Sequence, residues 1–203
     1  MLTAFTASLL LITVSELGDK TFFIAVILAM HHSRRLIFSG VLAALAAMTI
    51  LSVIAGQVLG LIPKIYIHYI EILLFMSFGI KLLYDASRMP ADSCATEVVE
   101  EAKTAVAEAE LELSRKNNIA VLIKAFMMTF VAEWGDRTQI ATIALATSYS
   151  PMAVTTGSIV GHAICTAIAV VGGRMLAGRI SERTITLIGG CLFLIFGAVV
   201  AME

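Results

Sequence analysis

The sequence predicts an all-α integral membrane protein whose six transmembrane helices form two inverted, antiparallel three-helix repeats. Three observations carry that expectation. The 203-residue chain is 59% hydrophobic and 14% charged, with a mean hydropathy of +0.94, whereas a soluble domain is nearer one-quarter charged. Six apolar stretches approach the roughly 20 residues that a helix needs to cross a bilayer. A shift of 117 residues superimposes much of the first half on the second.

The first span covers residues 5–30. It lacks a basic leader region and carries Glu16, Asp19 and Lys20 where a signal peptide would be cleaved, so it is expected to remain in the mature protein. Spans at 36–61 and 67–87 follow after short connections. Glu71 and Asp85 lie near the ends of the third, where both read as interfacial, with Lys81 placed to pair with Asp85 at i+4. Residues 90–117 are the only long polar segment, with seven acids against three bases. Val99, Ala102, Val106, Ala109 and Leu113 step through it by three and four, the period of a short amphipathic helix. A solvated connector is the preferred reading there, over a cation-attracting or regulatory element. Spans at 119–147, 152–174 and 183–202 complete the chain. The expected organisation is a first repeat at 1–88, a connector at 89–117 and a second repeat at 118–203.

Loop charge orients these spans. Arg34, Arg35, Arg88, Lys103, Arg115, Lys116, Arg174, Arg179 and Arg183 fall on one side, and only Lys64 on the other. The positive-inside rule makes the rich side cytoplasmic, which puts the connector inside and both termini outside. A net charge of -1 gives no sign of nucleic-acid binding. Cys94, Cys165 and Cys191 have no metal-type spacing and are expected as free thiols.

The repeat extends beyond general hydrophobicity. Leu28, Ala29, Gly40, Ala46, Thr49, Val53, Gly56 and Leu59 recur as Leu145, Ala146, Gly157, Ala163, Thr166, Val170, Gly173 and Leu176. One further inserted residue brings Phe75, Phe78 and Gly79 onto Phe193, Phe196 and Gly197. Units with an odd number of spans lie antiparallel, an arrangement common in secondary transporters, which bind near mid-bilayer where the halves meet.

The same shift aligns Glu16-Leu17-Gly18-Asp19-Lys20-Thr21 with Glu133-Trp134-Gly135-Asp136-Arg137-Thr138. Ionisable groups at mid-bilayer cost about 3 kcal/mol each before pairing or water relieves them, so their presence points to function. On a continuous helix Glu16 and Asp19 share a face, as do Glu133 and Asp136, and four carboxylates would meet between the halves. Gly18 and Gly135 permit close helix approach or local unwinding. Thr21, Thr138 and Gln139 offer neutral oxygens, and Trp134 is a candidate wall. With no Cys or His in either motif, the donors suit a hard divalent cation such as Ca²⁺, Mg²⁺ or Mn²⁺. Lys20 and Arg137 have three readings: inside the site, paired at i+4 with Glu16 and Glu133, or standing in for the cation. His162 is a candidate proton relay, with helix packing the more ordinary role. Cation and protons compete for the same carboxylates, and competition combined with alternating access yields antiport.

These residues resemble the Golgi-type calcium/manganese–proton exchanger family, marked by two copies of Glu-x-Gly-Asp-(Lys/Arg)-(Thr/Ser). Both copies are complete, and the resemblance covers nearly all of the chain outside 90–117, continuing through Gln139, Gly161-His162, Cys165-Thr166 and Gly172-Gly173-Arg174. It implies cation/proton exchange in a lipid bilayer, with Glu16, Asp19, Glu133 and Asp136 as cation ligands, no cofactor and no enzymatic activity. The short chain resembles the bacterial branch, which implies a multi-pass protein of the inner membrane that exports manganese. Competing readings are an intramembrane aspartyl hydrolase using Asp19 and Asp136, disfavoured by the Glu and the base beside each Asp, and an exporter of small organic cations or amino acids. Mn²⁺ and Ca²⁺ take similar oxygen ligands, so spacing does not separate them. Nothing in the sequence sets an oligomeric state.

Overall fold

The apolar stretches fold into helices, but the two that carry the acidic motifs do not run straight through. The computed structural model describes residues 2–89, 96–111, 118–176 and 181–202. Within them the helices are α1 (Leu2–Glu16), α2 (Lys20–His31), α3 (Arg34–Leu59), α4 (Lys64–Arg88), α5 (Thr96–Leu111), α6 (Asn118–Ala132), α7 (Arg137–Ser148), α8 (Pro151–Leu176) and α9 (Glu182–Met202). Arg34–Leu59, Lys64–Arg88, Pro151–Gly172 and Arg183–Met202 are long and apolar enough to cross a membrane, and α6 with α7 qualifies as a pair bent by 74°. The continuous helices expected at 5–30 and 119–147 are therefore corrected to broken ones, α1–α2 and α6–α7. The cause is a glycine in each motif whose backbone leaves the helical region.

Helix pairing follows the repeat. α1 lies against α8 and α6 against α3, α2 against α8 and α7 against α3, while α4 and α9 lie against each other. Exchanging the halves of the chain turns each of the first four pairs into another of the four and α4–α9 into itself. Small residues permit the closest approaches. A Cβ on Gly40 would stand 2.8 Å from the Leu122 carbonyl oxygen of α6, and one on Gly157 would overlap Ser8 Oγ and the Phe5 carbonyl of α1. Between α4 and α9, the Phe75 and Phe193 rings lie 6.0 Å apart and Phe78 meets Phe193 at 5.8 Å. Ile54, Val58, Leu73, Ile80, Val171 and Ile195 point outward, an apolar surface that suits lipid and not water.

α5 is the amphipathic helix expected in the connector. Ala102 and Val106 are buried in one apolar cluster with Phe22, Phe23 and Ile24 of α2, and Val99 lies against it. Burying those two side chains holds α5 to the bundle. Glu101 adds an ion pair with Lys20 at 3.1 Å. Cys94 and Leu113 lie outside the described residues, as does Arg179. Cys165 is a buried free thiol and Cys191 an exposed one.

Candidate metal centre

Each motif is a helix break with the same construction. α1 ends at Glu16 and α6 just before Glu133. Two residues on, Gly18 and Gly135 take φ of +81° and +80°, a left-handed conformation that costs an L-residue about 1–2 kcal/mol. The next residue, Asp19 or Asp136, is extended and caps the following helix. Asp19 Oδ1 accepts from the Lys20 N–H at 2.7 Å. Asp136 accepts from the Gln139 N–H at 2.7 Å and the Thr138 N–H at 3.0 Å. α2 and α7 thus begin inside the molecule, each bringing about half a positive charge of helix dipole toward the acids.

The centre is formed by Glu16, Glu133 and Asp136, whose nearest carboxylate oxygens all lie within 4.8 Å of one another. Glu16 and Glu133 are buried. Thr138 Oγ1 stands 3.0 Å from Glu16 Oε1 and 2.6 Å from Asp136 Oδ2, donating its proton to one at a time. That hydroxyl joins the two halves. Thr21 Oγ1 donates to Glu16 Oε2 at 3.5 Å and lies in hydrogen-bonding reach of Glu133. His162 Nδ1 is buried 3.7 Å from Glu16 Oε1, beyond a hydrogen bond, and has no hydrogen-bond partner. Two cavities of about 10 Å³ flank the centre, each near the size of one water. Glu133, Asp136 and His162 line one, and Glu16, Cys165 and Thr166 the other.

Asp19 is not one of these three, although its charge acts on both Glu16 and Glu133. It faces Arg137, with Nη2 to Oδ2 at 3.7 Å, and both line a separate cavity of about 170 Å³ with Gly18, Asp85, Val98 and Ile185. The helix break sets their places: Glu16 ends α1, and Asp19 follows the left-handed turn and caps α2. The i+4 pairs considered for the bases are corrected for the same reason, because Lys20 reaches Glu101 and Arg137 reaches Asp19 across the halves. Arg137 thus gives Asp19 a positive partner from the other half of the chain.

Three further expectations change. Gln139 does not lend its carbonyl oxygen to the centre; that oxygen accepts from the Gly135 N–H at 2.7 Å and braces the break. Trp134 does not wall the site, since it is exposed and lies 5.6 Å from the Phe130 ring. Glu71, read as interfacial, is packed inside the bundle at 4% exposed, accepting hydrogen bonds from Thr147 and Ser148. Its burial was hidden because its partners lie 76 and 77 residues away.

Carboxyl oxygens from the two helix breaks, hydroxyls beside them and no thiol among them form a donor set for a hard divalent ion. Known proteins agree with that chemistry. The family model "Divalent cation/proton antiporter GDT1" matches residues 4–90 and 121–203. GDT1-like protein sll0615 of Synechocystis sp. is 57% identical over 200 residues, covering 98% of this chain and 97% of its own. GDT1-like protein 4 of Oryza sativa subsp. indica is 42% identical, covering 95% of this chain and 71% of its own. Protein PAM71-homolog, chloroplastic, of Arabidopsis thaliana is 41% identical, covering 96% and 58%. No solved structure matches the chain. The family described is one of antiporters, not enzymes, so the hydrolase reading is not favoured. The chain belongs to the GDT1 family of divalent cation/proton antiporters.

Proposed function

We propose that this protein carries Mn²⁺ out of the cytoplasm in exchange for protons, with Ca²⁺ as the second cargo, by alternating access around a centre built from both halves of the chain. The observation that carries the reading is the convergence of Glu16 from one broken helix with Glu133 and Asp136 from the other. A single divalent ion between them would answer charge that hydroxyls and helix N-termini now face at close range. Protons answer the same charge, so ion and protons exclude each other without any further part.

The membrane arrangement belongs to the same proposal: six spans, two of them broken, in two inverted repeats at 1–88 and 118–203. The exchanged helix pairings support it, as does the contact of Phe75 with Phe193, equivalent residues meeting where a two-fold axis would run. The basic loops orient the connector toward the cytoplasm and both termini outward. A bacterial inner membrane fits the similarity to a cyanobacterial relative. The 170 Å³ cavity opens among Asp85 near the end of α4, Val98 of α5 and Ile185 near the start of α9, all at the connector end. A cation arriving there meets Asp19 first, and replaces Arg137 as the partner of that carboxylate on its way to the other three. Lys20 stays with α5, and His162, 3.7 Å from Glu16 and lining one small cavity with Glu133 and Asp136, relays protons to the centre.

The test is uptake of Mn²⁺ and Ca²⁺ into proteoliposomes under imposed pH gradients. Transport should follow the gradient and fall at least tenfold in Glu16→Gln, Glu133→Gln and Asp136→Asn. Indifference to the gradient sinks the coupling, and full activity in the three variants sinks the site.

A further inference from the structure

Glu71 is a carboxylate with almost no solvent contact in the second turn of α4. It is held by the side chains of the last turn of α7: Ser148 Oγ donates to Oε1 at 2.6 Å, and Thr147 Oγ1 donates to the same oxygen. A buried carboxylate is costly unless hydrogen-bonded, and here both donors come from another helix. α7 carries Asp136 and Thr138 at its opposite end. The contact therefore ties the helix that completes the metal centre to α4. Asp85, 14 residues further along α4 and so about 21 Å away, lines the 170 Å³ cavity. One end of α4 is fastened, and the other borders open space.

The two halves of the chain differ at this place. The register that sets Phe75 against Phe193 sets Glu71 against Gly189, and Gly189 lines the open cavity. Met30 and His31 stand where Thr147 and Ser148 stand in the second half. Related positions thus hold a carboxylate fixed by two hydroxyls in one half and a bare backbone beside a cavity in the other. The residue types differ permanently, but one position being bonded across helices while its counterpart lines a cavity fits a two-fold molecule open at one end and shut at the other.

We propose that Glu71, Thr147 and Ser148 form a latch that closes the transport path at the end opposite the 170 Å³ cavity. When the molecule turns over, the latch parts, and the Glu71 carboxylate lines a second vestibule in the place that Gly189 occupies in the first. Glu71 is a positioning residue and does not touch the cation. The inference rests on the alternating-access reading given above.

Cysteine labelling in lipid nanodiscs tests it. With Cys94 and Cys191 replaced by serine, Ile67→Cys reports the shut end and Ile185→Cys, its repeat counterpart, the open one. Thr147→Val with Ser148→Ala leaves the Glu71 carboxylate without its donors. A polar maleimide should then label Ile67→Cys at least about fivefold faster, and Ile185→Cys more slowly, as the population moves to the other conformation. Ser148→Ala alone, a smaller change, should move both rates in the same directions, and Glu71→Gln, which keeps an acceptor oxygen, should fall between it and the double variant. Unchanged rates at both reporters in folded protein overturn the latch, as does acceleration at both. Labelling reads conformation whatever the cargo: absence of Mn²⁺/H⁺ exchange in the parent protein would instead defeat the transport reading.

Discussion

Replacing Gly135 with alanine isolates the backbone requirement of the helix break. Gly135 sits at φ +80°, and a Cβ built there meets nothing within 4 Å, so the substitution adds strain without collision. An L-residue in that conformation costs about 1–2 kcal/mol, which is the whole penalty if the break keeps its shape. The chain can escape it by returning the residue to the helical region. That withdraws Asp136 from its capping bonds at 2.7 and 3.0 Å and carries it away from Glu16 and Glu133. Either way, 1–2 kcal/mol corresponds to about a 5- to 30-fold change in the population of the competent site. The assay is the half-saturating Mn²⁺ concentration for uptake into proteoliposomes, read beside thermal melting in detergent. Gly135→Asn should lose less than Gly135→Ala, because asparagine tolerates positive φ, and Gly135→Val should lose more. Gly18→Ala should behave like Gly135→Ala, since its Cβ would meet only the flexible tip of Ile185 at 3.2 Å. Alanine equal to glycine in both assays, or asparagine worse than alanine, would mean that the break does not depend on positive φ at Gly135.

Other substitutions probe separate parts of the account. Thr138→Val removes the hydroxyl shared by Glu16 and Asp136; losing a hydrogen bond to a charged group, about 1.5–3 kcal/mol, should raise half-saturating Mn²⁺ about 10- to 150-fold, with Thr138→Ser restoring it. Glu101→Gln breaks an ion pair with Lys20 whose side chains are 42% and 67% exposed; melting should show a stability change within about 0.5 kcal/mol, because such pairs are screened by water. Gly157→Ala drives a methyl into Ser8 Oγ and the Phe5 carbonyl; overpacking of this kind should destabilise by about 1–3 kcal/mol in denaturant titration, with part recovered by adding Ser8→Ala.

The acidic motifs, their spacing and the amphipathic connector were legible in the chain because each is a local pattern. Charge inside apolar sequence marks Glu16 and Glu133 directly, and the three-four step marks the buried face of α5 at Ala102 and Val106. The breaks were only half legible. Gly18 and Gly135 permit unwinding, yet a glycine in an apolar run equally permits close helix contact, as Gly40 and Gly157 do. Without the breaks, helical spacing groups Glu16 with Asp19, whereas the folded chain groups Glu16 with Glu133 and Asp136. Partners of Lys20, Arg137 and Glu71 were out of reach for a different reason. Each lies on another element, between 76 and 118 residues away in sequence, and no periodicity links them.

If the centre works as proposed, a divalent ion displaces protons from Glu16, Glu133 and Asp136. Titrating the purified protein with Mn²⁺ in weakly buffered solution, while recording bound metal and released protons together, tests it most directly. The account predicts a single bound ion with proton release, both lost in Glu16→Gln, Glu133→Gln and Asp136→Asn. Undiminished binding in those variants, or binding without proton release in the parent protein, would contradict it.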